Sequence, residues 1–150
     1  MIEIHDDIFF SSDKKDMDID LIFNIIKNSY WGKSRTFDEQ KKAVENTLNF
    51  GLFHKGKQIA FTRVMTDFVF FAHFLDVFVV KEYQGNGYSK LLMENILNYP
   101  SLKNIDKWIL ATRDAHTLYE KFGFETIKNP NMIMEKMSDR AKKIYQQHES

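Results

Sequence analysis

The residues best suited to chemistry in this chain are Gln84-Gly85-Asn86-Gly87-Tyr88-Ser89. Two glycines with one residue between them let a backbone come close to a ligand. N–H groups that leave a turn for a helix N-terminus attract an anion. The stretch follows the strand-like Leu75-Asp76-Val77-Phe78-Val79-Val80 and opens the helix-like run Lys90 to Leu97, the context a phosphate cradle needs. Further on, Leu118-Tyr119-Glu120-Lys121-Phe122-Gly123-Phe124 offers a phenol, Tyr119, that could donate a proton; the same ring could instead pack beneath its short helix.

Asp76 and His73 could take up a proton. In a regular strand they point to opposite faces, so only one could line a given pocket unless a β-bulge breaks the alternation. Each also has a plainer reading, Asp76 as a brace for the neighbouring loop and His73 as a solvated strand residue. His116 lies on the helical face next to that of Tyr119 and reads equally as a surface histidine. Asp114 reads as a helix N-cap. No pair of histidines has the spacing of a metal site, so no metal is implied.

The elements that must position these residues are legible in outline. A strand spans Ile4 to Phe10, and a helix runs from about Asp18 to Asn28 with Ile19, Ile22, Phe23 and Ile26 at helical spacing. Thr36-Phe37-Asp38-Glu39 is a capping box that starts a second helix. Tyr30, Trp31 and Arg35 fall in the connection between the two. Phe50 to His54 and Gln58 to Val64, around Lys55-Gly56-Lys57, form a hairpin. Phe70 to Val80 is a strand, and the helix after Gly87 reaches about Asn98 before Pro100 stops it. Lys107 to Thr112 is a strand and Asp114 to Lys121 a short helix. Phe124 to Ile127 and Met132 to Met137 are the last extended pieces, and Ser138 to Gln147 is a polar, weakly helical tail. Strand and helix alternating after residue 70 imply a βαβ unit with a parallel pair.

Composition sets bounds. At 150 residues the chain suits one domain, and its 21 basic and 21 acidic residues give no bulk attraction to nucleic acid or an anionic membrane. The absence of cysteine excludes disulfides, thiolate metal sites and a cysteine acyl-enzyme. Neither a signal peptide nor a membrane-spanning run is recognisable, so a cytoplasmic protein is expected.

The element order, the Gln84 loop and the Tyr119 segment together resemble the GNAT (GCN-related) N-acetyltransferase superfamily over nearly the whole chain. The resemblance implies an α/β fold: a single domain, 1–150, with a mixed central sheet of six to seven strands flanked by helices and splayed parallel fourth and fifth strands. It implies acetyl-CoA as cosubstrate, with Gln84, Gly85, Asn86, Gly87, Tyr88, Ser89 and Lys90 around the pyrophosphate. Val77, Phe78 and Val79 would pair with the pantetheine arm, and Thr112 and Phe122 would complete the cofactor site. A backbone N–H of Phe78 or Val79 would polarise the acetyl carbonyl. Tyr119 would protonate the departing thiolate, and Asp76 would serve as base. Tyr30, Trp31 and His73 would line the acceptor side.

Two positions depart from the family pattern: Ser89 stands where Gly or Ala is usual, and Thr112 where many members have Asn. The activity implied is transfer of acetyl to a primary amine, on a small molecule or a peptide, by direct attack in a ternary complex; a homodimer is compatible with it. The alternative is an acetyl-CoA-binding sensor or interaction module without turnover. A nucleotide-phosphate binder fits less well, because the loop lacks the Lys-Ser/Thr ending of a P-loop and opens with Gln rather than the Gly of a dinucleotide loop.

Overall fold

The computed structural model describes residues 1–146 and lays six strands side by side in chain order. They are β1 (Ile2–His5), β2 (Ile8–Ser11), β3 (Leu48–His54), β4 (Lys57–Thr66), β5 (Phe71–Val79) and β6 (Lys107–Ile109). Neighbours are antiparallel as far as β5, and β5 and β6 are parallel. Helices α1 (Ile19–Lys27), α2 (Phe37–Glu45), α3 (Tyr88–Leu97), α4 (His116–Glu120) and α5 (Asp139–Gln146) complete an α/β fold with a mixed sheet, as expected. Among the described residues no helix is long and apolar enough to cross a membrane.

Two expectations are corrected. Ile4 to Phe10 is a hairpin rather than one strand, because Asp6 and Asp7 both take positive φ, 46° and 65°. Consecutive left-handed residues make the tight turn that matches strand twist, and Asp tolerates that region. The extra strand makes β5 and β6 the counterparts of the fourth and fifth strands of the sequence reading. Secondly, Phe124 to Ile127 and Met132 to Met137 do not join the sheet. Pro130 lacks an N–H and opens a 3-10 turn over Pro130–Met132, which breaks any ladder there. The polar tail does form a helix, α5, which Arg140 ties to Glu39 on α2 through bonds of 2.9 and 3.1 Å; Gln147 lies outside the described residues.

The sheet buries a core on each face. Phe50, Leu52, Ala60, Val64 and Phe74 pack with Leu92, Met93 and Ile96 of α3. Phe53, Phe61 and Phe78 pack on the other face with Ile22 and Ile26 of α1 and Val44 of α2. Both helices there start as the sequence dictates: Asp18 accepts from Leu21 N–H at 3.1 Å, and Thr36 and Glu39 form the full capping box.

The α1–α2 connection is fastened locally. Ser29 Oγ donates to Ile26 C=O at 2.6 Å and accepts from Gly32 N–H at 3.1 Å. A Cβ on Gly32 would collide with the Ile26 carbonyl oxygen, a backbone atom that cannot yield cheaply. Gly32→Ala is therefore expected to destabilise the fold by about 1–3 kcal/mol, as an overpacked core position does. Urea unfolding checks this, and an unchanged midpoint would show that the connection does not approach α1 so closely.

Candidate active site

A gap in the sheet organises the site. β5 and β6 share only the pairs Phe71 with Lys107, Ala72 with Trp108 and His73 with Ile109. β5 then continues to Val79, whereas β6 ends at Ile109 rather than at the expected Thr112. Val80 N–H donates to Ile59 C=O at 2.8 Å. Antiparallel alternation therefore directs the Phe78 N–H to β4 as well and turns the Val77 and Val79 N–H groups into the gap. Of Phe78 and Val79, the second has its amide on the open side.

The glycine loop lies where β5 ends. A 3-10 turn over Lys81–Tyr83 leads into it, and Gln84 Nε2 donates back to Val79 C=O at 2.9 Å. Asn86 Nδ2 bonds Tyr83 and Gln84 carbonyls at 3.3 and 3.2 Å, which fixes the loop from within. Gly85 and Gly87 have φ of 80° and 82°, and a Cβ at either would meet nothing within 4 Å. Their requirement is conformational, and the space before them is open to a ligand. Gly87 caps α3 without a side chain, so the first-turn N–H groups at Tyr88, Ser89 and Lys90 are left for an anion or water.

Tyr119 approaches from the α3 side of the sheet. It is buried, at 8% exposure, and its ring meets Phe124 edge-on at 6.1 Å. Burial, then the nearby Asp114 charge, raises its pKa, which keeps the phenol protonated at neutral pH. Thr112, Tyr119, Phe122 and Phe124 line a cavity of about 1120 Å³ beside β6. Helix α4 covers His116–Glu120 rather than Asp114 to Lys121, and Asp114 does not cap it: Ala115 occupies the N-cap, and its N–H donates to Thr112 Oγ1 at 3.0 Å. His116 is exposed.

The opposite face holds the second group of candidates. The β4–β5 register jumps from Phe61–Phe78 to Arg63–Leu75, and Asp76 within this bulge has φ of 54°. The side-chain alternation shifts there: Phe74 packs toward α3, but beyond the bulge Val77 and Val79 do so and Phe78 turns away. His73 and Asp76 consequently share the α1–α2 face.

The Asp76 carboxylate, 8% exposed, accepts from four donors. Arg63 Nε lies at 2.7 Å, Arg35 Nη1 at 2.9 Å, Gln40 Nε2 at 3.2 Å and Trp31 Nε1 at 3.3 Å. Burial pushes its pKa up, but the Arg35 hydrogen bond and the two guanidinium charges outweigh burial and leave it below its ordinary value. His73 is half-buried, and burial, then the Arg63 charge, lowers its pKa, so its ring is neutral at pH 7. Tyr30 meets Trp31 edge-on at 5.2 Å, and the Arg113 guanidinium lies 4.5 Å over the Tyr30 ring. That contact links the α1–α2 connection to the segment following β6.

Sequence reasoning missed Arg63 and Gln40, the two most buried donors to Asp76. A signal was present: a lone arginine inside the apolar run Ile59 to Val64 and a lone aspartate inside Leu75 to Val80 are opposite charges in two strands that must pair.

The acetyltransferase (GNAT) domain family matches residues 45–126. A GNAT-family protein from Xanthomonas campestris pv. campestris is 37% identical and superposes with a TM-score of 0.84 over 87% of this chain and 93% of that one. A Staphylococcus aureus protein of unknown function shares the fold at 23% identity and a TM-score of 0.69, over 87% and 98% of the two chains. So does a Clostridium acetobutylicum protein whose crystal structure contains acetyl-CoA, at 17% identity and a TM-score of 0.64, over 87% and 96%. No curated protein matches the chain significantly.

Breaking a buried pair leaves uncompensated charge, so Asp76→Ala is expected to cost about 3–5 kcal/mol in urea unfolding. The folded carboxyl titrates below its unfolded value. It therefore adds stability above about pH 4, the unfolded range, that is lost as pH falls through the folded pKa. Asp76→Asn should flatten that acid limb of the stability curve. An unaltered limb would assign it to other carboxyls.

Proposed function

We propose, from the premise that this chain belongs to the GNAT acetyltransferase family, that it moves acetyl from acetyl-CoA to a primary amine by direct attack in a ternary complex. The observation that carries the reading is the gap between β5 and β6, with the Val77 and Val79 amides turned into it and a glycine loop at its end, and with the Tyr119 phenol buried on the α3 side of the sheet. The residues present fit the cosubstrate: the positive-φ glycines leave open space before a helix N-terminus, and the free edge of β5 can take an added amide strand. When bound, acetyl-CoA supplies a thioester carbonyl activated toward amines.

The chain's own groups then divide the work. The backbone from Gln84 through Lys90 holds the pyrophosphate, and Val77 and Val79 pair with the pantetheine amides. The Val79 N–H is the donor for the acetyl oxygen. Tyr119, kept protonated by burial, hands its proton to the leaving sulfur from the α3 side, with Thr112 and Phe122 as neighbours.

The amine arrives from the other side, past Tyr30 and Trp31, and must lose a proton before attack. His73 is neutral at pH 7 and able to accept it, directly or through water. Asp76, saturated by its donors, suits a positioning role: it fixes Arg35, Arg63 and Trp31.

Coenzyme A release across a panel of primary amines tests the reading. Binding of acetyl-CoA without release by any amine would favour a sensor instead, and stabilisation by ATP or NAD but not coenzyme A would refute both. Tyr119→Phe is expected to lower kcat by about a hundredfold with little change in coenzyme A affinity; undiminished turnover would remove its role as acid. Gly87→Val, which forces a branched side chain into left-handed backbone, should weaken coenzyme A binding in isothermal titration.

A further inference from the structure

The side of the gap opposite Tyr119 carries more positive charge than its structure uses. Arg35 and Arg63 both engage the single carboxylate of Asp76, and both bonds fall on the same oxygen, Oδ2. The other groups facing that carboxylate, Gln40 and Trp31, are uncharged, and His73 on the same face is neutral at pH 7. Two guanidinium charges thus meet one carboxylate in a largely buried setting, with Arg63 7% exposed. A buried charge without a counter-charge is costly.

Arg63 also has donors to spare. It engages Asp76 through Nε, and no described residue accepts from its Nη nitrogens. Among the described residues the sealed side-chain polar atom without a partner is Asn49 Oδ1, so those Nη groups are reached by solvent. Arg35 likewise uses Nη1 alone, for both Gln40 and Asp76. A guanidinium fixed along one edge and open along the other is set to take an anionic oxygen group in a bidentate hold.

We propose that the acceptor amine carries an anionic oxygen group, bound by Arg63 with help from Arg35, and that Asp76 pre-orients both arginines for it. The inference rests on the acetyl-transfer reading and narrows its acceptor class. Arg63 pairs with Leu75, two residues past the last β5–β6 pair at His73, and Asp76 holds Arg35 beside it, on the face of the sheet that His73 shares. An acceptor with an acidic group a few bonds from its amine would fill the surplus charge and aim its nitrogen at once.

The test is kcat/KM at saturating acetyl-CoA for amine pairs that differ in the anionic group. They are 4-aminobutyrate against butylamine, phenylalanine against phenethylamine and phosphoethanolamine against ethanolamine. The expected result is a preference of roughly ten- to hundredfold for the anionic member of at least one pair, the range of a charged hydrogen bond. The first two pairs read a carboxylate and the third a phosphate. Arg63→Lys keeps the charge but loses the fork, and should bring that preference toward one. Arg35→Lys, at the more exposed arginine, should reduce it too and serves if Arg63→Lys fails to fold by circular dichroism.

Neutral amines used as well as their acidic partners would overturn this inference and leave acetyl transfer standing, and so would a preference that survives in both variants. If no amine of any kind releases coenzyme A, the acetyl-transfer reading falls and this inference with it.

Discussion

The carboxylate of Asp76 is the constraint on which the site depends. Its residue occupies left-handed backbone, which costs a non-glycine residue on the order of 1 kcal/mol or more, and that conformation makes the β5 bulge. Bonds from Arg63 on β4, Gln40 on α2, and Trp31 and Arg35 in the α1–α2 connection hold it there. One side chain thus ties two strands, a helix and a loop to the same point. The bulge also resets strand parity, which puts Val77 and Val79 against the α3 core, and bulges increase local twist where β5 leaves β6.

The gap separates two titratable groups. Tyr119 lies on the α3 side, where burial raises its pKa and preserves a donor; His73 lies on the α1–α2 side, where burial and Arg63 lower its pKa and preserve an acceptor. Both shifts follow from desolvation, which always disfavours the charged form. Each face thus keeps its titratable group neutral, a phenol on one and an imidazole on the other. Under the proposed acetyl transfer, the attacking amine and the departing thiolate would approach this gap from opposite faces, each with a neutral group suited to its proton.

Local signals in the sequence carried the glycine loop and several of the elements around it. The Gly85 and Gly87 turn, the capping box at Thr36, the strand before the loop and the parallel pair after it are encoded within a few residues each, and all formed. Where neighbours compete, reading was harder. Asp6-Asp7 is as compatible with a strand interruption as with a solvated edge, and the N-cap of α4 falls one residue past Asp114, at Ala115, with no side-chain capping bond. The early end of β6 reflects divergence from β5, which no residue of β6 announces. The Asp76 clasp was least legible, because its partners lie 13, 36, 41 and 45 residues away in the chain and converge only after the sheet and helices assemble.

The central claim is that the β5–β6 gap and the Gln84 loop form one continuous binding surface for coenzyme A. Amide hydrogen exchange with and without coenzyme A tests it most directly. The account predicts new protection at Val77 and Val79, whose N–H groups face the gap, together with Tyr88, Ser89 and Lys90 at the start of α3, while Phe78, already bonded to β4, changes little. Protection confined to the loop, or appearing at Phe78 rather than its neighbours, would contradict it.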